Sequence, residues 1–160
     1  MDLNEDFLRK HMQMCIDLAL GGLEIAKPYV GAVIVSSDGK VISKGIRRLM
    51  SGNLLIHAER DAITKAQYYQ RGAILFTTLE PCAPTRNRRR NCFFKSCTEL
   101  LFEEEIEIVV YGLKDDSMDG ESFGYLRNRG VIMVEYDKLN EQIIGNLMPK
   151  KVRERYSWAY

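Results

Sequence analysis

Hydrophobic residues along this chain recur with two spacings, and the points where one gives way to the other mark its elements. Phe7, Leu8, Met12, Cys15, Ile16 and Ala19 fall at three- and four-residue steps, which predicts a helix over 7–20 ended by Gly21-Gly22. Apolar-rich runs at 30–36 and 41–46 predict two strands, and Ser37-Asp38-Gly39-Lys40 between them predicts a hairpin turn. Residues 53–56 lead into a second helix over 57–70, whose apolar stripe is Ala58, Ala62, Ile63 and Ala66. A buried strand at 73–78 follows, then a long polar loop over 82–97 and a helix to about residue 105. A strand at 106–111, a short helix at 122–129 ended by Gly130, and a last strand at 131–136 complete the alternation. The tail from Lys138 reads as helical, with Pro149 breaking or restarting it.

After the hairpin, strands alternate with helices, which predicts parallel strands covered on both faces. The fold class is therefore α/β: a three-layer α/β/α sandwich around a mixed, mostly parallel five-stranded sheet. With no repeat or linker, residues 1–160 read as a single domain, with its core over 7–136 and a helical tail over 137–160. Gly31, inside the first strand, points to a close backbone approach, by a ligand, by the helix carrying His57, or by simple packing.

Composition narrows the function classes. The 46% hydrophobic and 28% charged content is ordinary for a globular protein. A net charge of +1 argues against a general polyanion-binding surface and leaves room for a local basic patch. The longest apolar run, 30–35, is far too short to cross a bilayer, so no membrane association is expected. The acidic start, Met1-Asp2-Leu3-Asn4-Glu5-Asp6, carries no secretory signal. Four cysteines in that setting suit a reducing cytoplasm, where clustered Cys and His bind metal more often than they pair as disulfides.

The chemistry concentrates at two short segments. His57-Ala58-Glu59 offers an imidazole and a carboxylate two residues apart, and Pro81-Cys82 offers a thiolate, with a further cysteine within fifteen residues. One His and two Cys suit Zn²⁺ and leave a fourth position for water. H-x-E followed by P-C and another Cys is the pattern of zinc deaminases. Two predicted helix starts carry these groups, and their positive ends favour thiolates. Glu59 stands beside the metal without ligating it and serves as the proton carrier of a hydrolytic deamination. If Cys92 and Cys97 both bound, the site would instead be a closed, structural Cys₃His centre. His11 and Cys15, one turn apart, read as a surface histidine beside a core cysteine, because no third ligand is near.

On these motifs the chain resembles the cytidine deaminase-like superfamily. Within it, the chain is most similar to the pyrimidine deaminase domain of the bifunctional riboflavin-biosynthesis deaminase/reductase. The resemblance covers about residues 7 to 136 and rests on Met14-Cys15-Ile16-Asp17-Leu18-Ala19, Val30-Gly31-Ala32-Val33-Ile34-Val35, His57-Ala58-Glu59, Thr78-Leu79-Glu80-Pro81-Cys82, Val109-Val110-Tyr111-Gly112 and Asp115 to Gly120. It implies Zn²⁺ as cofactor, with His57, Cys82 and a second cysteine as ligands and Glu59 as the catalytic residue. In relatives the second cysteine starts a helix about twelve residues before a paired valine, which favours Cys97 over Cys92. Ser96 as an N-cap agrees.

The resemblance also implies a small heterocyclic substrate, with or without a phosphate, and a homo-oligomer. Ala58, Arg86 and Arg88 are the expected substrate contacts, the arginines as a phosphate clamp. Arg86 to Arg90 with Phe93 and Phe94 would alternatively track a nucleic acid, and a solvated loop is the plain reading. Three features depart from the riboflavin type. Ala26-Lys27-Pro28-Tyr29 lacks an Asn, the loop after Cys82 is arginine-rich, and no reductase domain follows. The expected reaction is deamination of the phosphoribosylamino-pyrimidine of riboflavin synthesis. Cytidine or deoxycytidine nucleotides, or bases in RNA or single-stranded DNA, are the alternatives, and a non-catalytic deaminase-like subunit is the reading from a different class.

Overall fold

The asymmetry between polar and apolar faces of the first helix sets one layer of the molecule. In the computed structural model, which describes residues 3–22, 27–51, 54–66, 71–85, 94–115 and 118–155, this helix is α1 (Glu5–Gly21). Asn4 caps it by accepting from the Phe7 N–H at 3.0 Å, which satisfies one of the otherwise orphaned amides of the first turn. Met12, Cys15, Ile16 and Ala19 are buried against the sheet. His11, expected at the surface, is buried with them. Its ring packs 4.3 Å from that of Phe7 and stacks 5.0 Å from that of Phe76, because positions 7, 11 and 15 form one row on the inward face.

The strands are β1 (Gly31–Val35), β2 (Val41–Ile46), β3 (Arg48–Met50), β4 (Leu54–Ile56), β5 (Ile74–Leu79), β6 (Ile108–Leu113) and β7 (Ile132–Glu135). Five of them form one sheet in the order β2-β1-β5-β6-β7. β5 pairs with β6, and β6 with β7, in parallel; β1 is antiparallel to both β2 and β5. The expected mostly parallel sheet is thus corrected to an evenly mixed one. The βα alternation does orient β2, β5, β6 and β7 alike, but the hairpin inserts the reversed β1 between β2 and β5 and makes half of the pairings antiparallel. β3 and β4 form a separate two-stranded ribbon, which the sequence pattern did not announce.

The helices on the other face are α2 (Ala58–Lys65), α3 (Cys97–Glu103) and α4 (Glu121–Arg127). α2 stops short of residue 70, because Ala66 is extended, with φ −69° and ψ 117°; residues 67–70 lie outside those described. Near the C-terminus, α5 (Asn140–Gln142) runs on as a π turn over Ile143–Leu147, and α6 (Lys150–Arg155) begins after Pro149. The period-two alternation of β1 divides the core between the layers. Val33 and Val35 pack with α1, Ile143 and Leu147, whereas Ala32 and Ile34 pack with Ala58 and Ala62 of α2.

Two glycines allow the helices to lie close on the sheet. A Cβ on Gly31 would collide with the Cys15 carbonyl of α1, so α1 and not the His57 helix makes the approach expected there. The helix carrying His57 instead approaches Gly45, where a Cβ would meet the Ala58 carbonyl and the Ala62 amide. Asp61, fully buried, completes the fixation of α2. It accepts from the Ile46 N–H at 3.0 Å and pairs with Arg48 at 2.8 Å and Lys65 at 2.6 Å.

Candidate active site

Each element delivers one chemical group to the same spot, at the end of β5. His57 is the N-cap residue of α2, so its extended backbone turns the imidazole across the helix start. Glu59 follows in the first turn. Cys82 lies just beyond the end of β5, past Glu80-Pro81. Cys97 opens α3, behind Ser96, which caps that helix in a reciprocal box with Glu99. The helix start is also tied to the other ligand segment. The Cys97 N–H donates to the Cys82 sulfur at 3.2 Å, and the Thr98 N–H to the Cys82 carbonyl at 3.2 Å.

The ligand atoms of His57, Cys82 and Cys97 all lie within 4.8 Å of one another, and both cysteines are buried. Nδ1 is the imidazole nitrogen turned to the cluster, 3.4 Å from the Cys97 sulfur. Zn–N and Zn–S bonds of about 2.0 and 2.3 Å at a tetrahedral angle put such atoms about 3.5 Å apart. The donor set, one nitrogen and two sulfurs, and its spacing therefore fit Zn²⁺ and keep one coordination position open.

The thiols are unequal. The Cys97 thiol, joined by His57, holds the Cys82 thiol far below its ordinary pKa, and that same contact together with burial pushes Cys97 up. Glu59 is 3% exposed. Its Oε1 accepts from Thr77 Oγ1 at 3.0 Å, and its Oε2 lies 3.5 Å from the Cys97 sulfur. Burial raises the Glu59 pKa above the usual carboxylate range, only partly opposed by His57.

A cavity of about 180 Å³ opens on this cluster, lined by His57, Glu59, Cys82, Ala58, Arg47, Leu55 and Asp115 among others. Ala58 thus lines the pocket, whereas Arg86, Arg88 and the alternative ligand Cys92 lie outside the described residues. Several groups in or behind the pocket wall were not singled out from the sequence. Thr77 orients Glu59, and its signal was a Thr pair inside the apolar strand Ile74-Leu75-Phe76-Thr77-Thr78-Leu79; both threonines are fully buried. Glu80 is buried at the pocket wall, where it accepts from Ser122 Oγ and, at 3.0 Å, from the Asp115 N–H, which fixes that loop beside the cavity. Arg47 crosses the pocket rim and donates to the Pro28 carbonyl at 2.7 Å.

Comparison with known proteins agrees with this geometry. The family profile for the cytidine and deoxycytidylate deaminase zinc-binding region matches residues 5–113. A diaminohydroxyphosphoribosylamino-pyrimidine deaminase of Schizosaccharomyces pombe is 34% identical over 129 residues, 73% of this chain and 30% of that protein. The crystal structure of a diaminohydroxyphosphoribosylaminopyrimidine deaminase/5-amino-6-(5-phosphoribosylamino)uracil reductase of Thermotoga maritima superposes with a TM-score of 0.70 at 33% identity, over 88% of this chain and 39% of that one. A cytosine deaminase of Candida albicans is 26% identical over 155 residues, 92% of this chain and 90% of that protein. The chain therefore spans about a third of the length of the riboflavin-type relatives and nearly the whole of the cytosine deaminase.

Proposed function

Because the chain belongs to the cytidine and deoxycytidylate deaminase zinc-binding family, we propose that it is a zinc-dependent aminohydrolase whose substrate is an amino-substituted pyrimidine. The leading substrate is the phosphoribosylamino-pyrimidine intermediate of riboflavin synthesis. Water adds to the ring carbon that bears the amino group, the C–N bond breaks, and ammonia leaves. His57 Nδ1, Cys82 and Cys97 would hold the ion, which when bound supplies hydroxide at neutral pH. Glu59 takes one proton from the water and gives it to the ring nitrogen, then takes the remaining proton of the added hydroxyl and gives it to the departing amine. Thr77 keeps Glu59 aimed by occupying Oε1, which leaves Oε2 toward the reacting centre.

The observation that carries this reading is the position of Oε2 within 3.5 Å of a ligand sulfur, in a carboxylate buried at the floor of a cavity. A closed structural site would need no such group. The enclosed volume is below the roughly 300–1,000 Å³ of drug-sized ligand pockets, so it suits a single heterocyclic ring with the remainder of the substrate toward the mouth. A second reading, deamination of a free pyrimidine base, is favoured by the near-complete overlap with a cytosine deaminase. Arg86 and Arg88 would clamp a phosphate in the first reading and have no such task in the second. Charge reversal at Arg88 should then raise KM for a phosphorylated substrate more than for its nucleoside.

Free thiols at Cys15, Cys82 and Cys97 suit a reducing cytoplasm, and none of the described helices is long and apolar enough to cross a membrane. Exposed Leu49, Met50 and Leu54 on the β3–β4 ribbon favour self-association. The deciding experiment is an ammonia-release screen across free bases, nucleosides, nucleotides and the riboflavin intermediate, with Glu59→Ala as the blank. Turnover of the intermediate alone supports the leading substrate. Turnover of cytosine alone selects the second reading, and ammonia release undiminished in the Glu59→Ala blank overturns the mechanism.

A further inference from the structure

The cluster of His57, Cys82 and Cys97 has two sides. One faces the cavity of about 180 Å³ in which the substrate is placed. The other faces a crevice of about 40 Å³, lined by Leu55, Arg60, Phe94 and Lys95 together with the three ligands. That crevice holds a water or two and no heterocycle. It is nevertheless an approach to the metal position from solvent, and one side chain spans it. Arg60 stands in the first turn of α2, three residues after His57, and lines this crevice with it. Its guanidinium donates to the Lys95 carbonyl and lies 5.2 Å from the centre of the Phe94 ring. Lys95 is anchored from the other direction by Glu103, at 2.6 Å, and the next residue is Ser96, the cap that starts α3 at Cys97.

Arg60 thus connects the helix that presents one ligand to the backbone two residues ahead of another. We propose that Arg60 is a positioning residue for the zinc site. It clamps the entry to α3 so that Cys97 stays in register with His57 and Cys82, and it closes the outer side of the site against solvent. The inference rests on the zinc reading above and adds a residue that touches neither substrate nor the reacting atoms. Arginine suits the task because a planar fork can stack on a ring and donate in its own plane together, and a lysine ammonium cannot do both.

The test is zinc retention, read without any substrate. Wild type, Arg60→Met, Arg60→Lys and Phe94→Ala are loaded with one equivalent of zinc and challenged with a chromophoric chelator, and the thermal midpoints of the metal-free proteins are measured beside them. Loss of an outer-shell partner to a metal ligand typically costs 10–100-fold in metal affinity. Arg60→Met is expected to release zinc at least tenfold faster, Phe94→Ala to fall between it and wild type, and Arg60→Lys to recover part of the loss. The metal-free midpoints should all stay close together. Release from Arg60→Met at the wild-type rate overturns the clamp, as does a drop in its metal-free midpoint that accounts for the faster release. Wild type that takes up no stoichiometric zinc would instead overturn the zinc reading on which the clamp depends.

Discussion

The backbone N–H of Cys97 donates to the sulfur of Cys82 across 3.2 Å, although fifteen positions separate the two residues in the chain. A helix start is therefore built around the sulfur of another segment, and the first residue of that helix is itself a proposed ligand. Substitution of Cys97 removes the sulfur that lies against His57 Nδ1. Purified Cys97→Ser should lack zinc, and Cys92→Ser should retain it, by metal analysis of the two proteins. The reverse result would show that α3 does not present the second thiolate.

The fit of α2 on the sheet is as important as its ligands. Gly45 meets the Ala58 carbonyl and Ala62 amide, both backbone atoms that cannot swing aside. Gly45→Ala must therefore lift the start of α2, which carries His57 and Glu59. Overpacking of this kind typically costs about 1–3 kcal/mol. The variant should unfold at lower denaturant concentration and bind zinc more weakly. Gly124→Ala, where an added Cβ meets nothing within 4 Å on the exposed side of α4, is the control: helix propensity should raise its stability by up to about 1 kcal/mol, and its zinc binding should stay unchanged.

Stability should also depend on pH through a residue far from the chemistry. His11 is buried between aromatic rings, its Nε2 has no hydrogen-bond partner among the described residues, and burial lowers its pKa. The folded state thus prefers the neutral ring, while the unfolded chain takes up a proton at the ordinary value of about 6.5. Between the lowered folded pKa and that value the unfolded state binds more protons, so this contribution to stability is whole above about pH 6.5 and is lost as pH falls below it. Thermal midpoints of wild type should drop between pH 7 and 5 more steeply than those of His11→Gln. Parallel curves would assign the acid sensitivity to other groups.

Much of this could be read along the chain, for identifiable reasons. The βα alternation needs only periodicity, and two of the proposed ligands, His57 and Cys97, sit at helix starts, which leave local marks such as Ser96 with Glu99 three residues on. Long-range relations left no such marks. Which strands flank β1 depends on where the hairpin inserts, and that is decided by packing of both its faces. The β3–β4 ribbon has three residues per strand, too few for alternation to stand out. By residue type His11 reads as a surface residue, whereas its place on the 7-11-15 row turns it inward. The roles of Thr77, Glu80 and Arg60 lie in partners 18, 42 and 35 positions away, which no local spacing reports.

Thr77 allows the aim of Glu59 to be tested apart from its presence. The hydroxyl donates to Glu59 Oε1 at 3.0 Å, and both residues are buried, so Thr77→Val keeps the shape and deletes the bond. Hydrogen bonds to charged groups contribute about 1.5–3 kcal/mol. If the bond holds the carboxylate in its working position during proton transfer, kcat should fall by about 10- to 100-fold, at 1.4 kcal/mol per factor of ten. KM should change little, since Thr77 does not line the cavity, and zinc content should stay at one equivalent, since Thr77 touches no ligand atom in the set. Thr77→Ser retains the hydroxyl and should recover most of the rate. Full activity in Thr77→Val would mean that Glu59 is oriented by its helix alone, and loss of zinc would mean that the bond supports the ligands instead of the proton carrier.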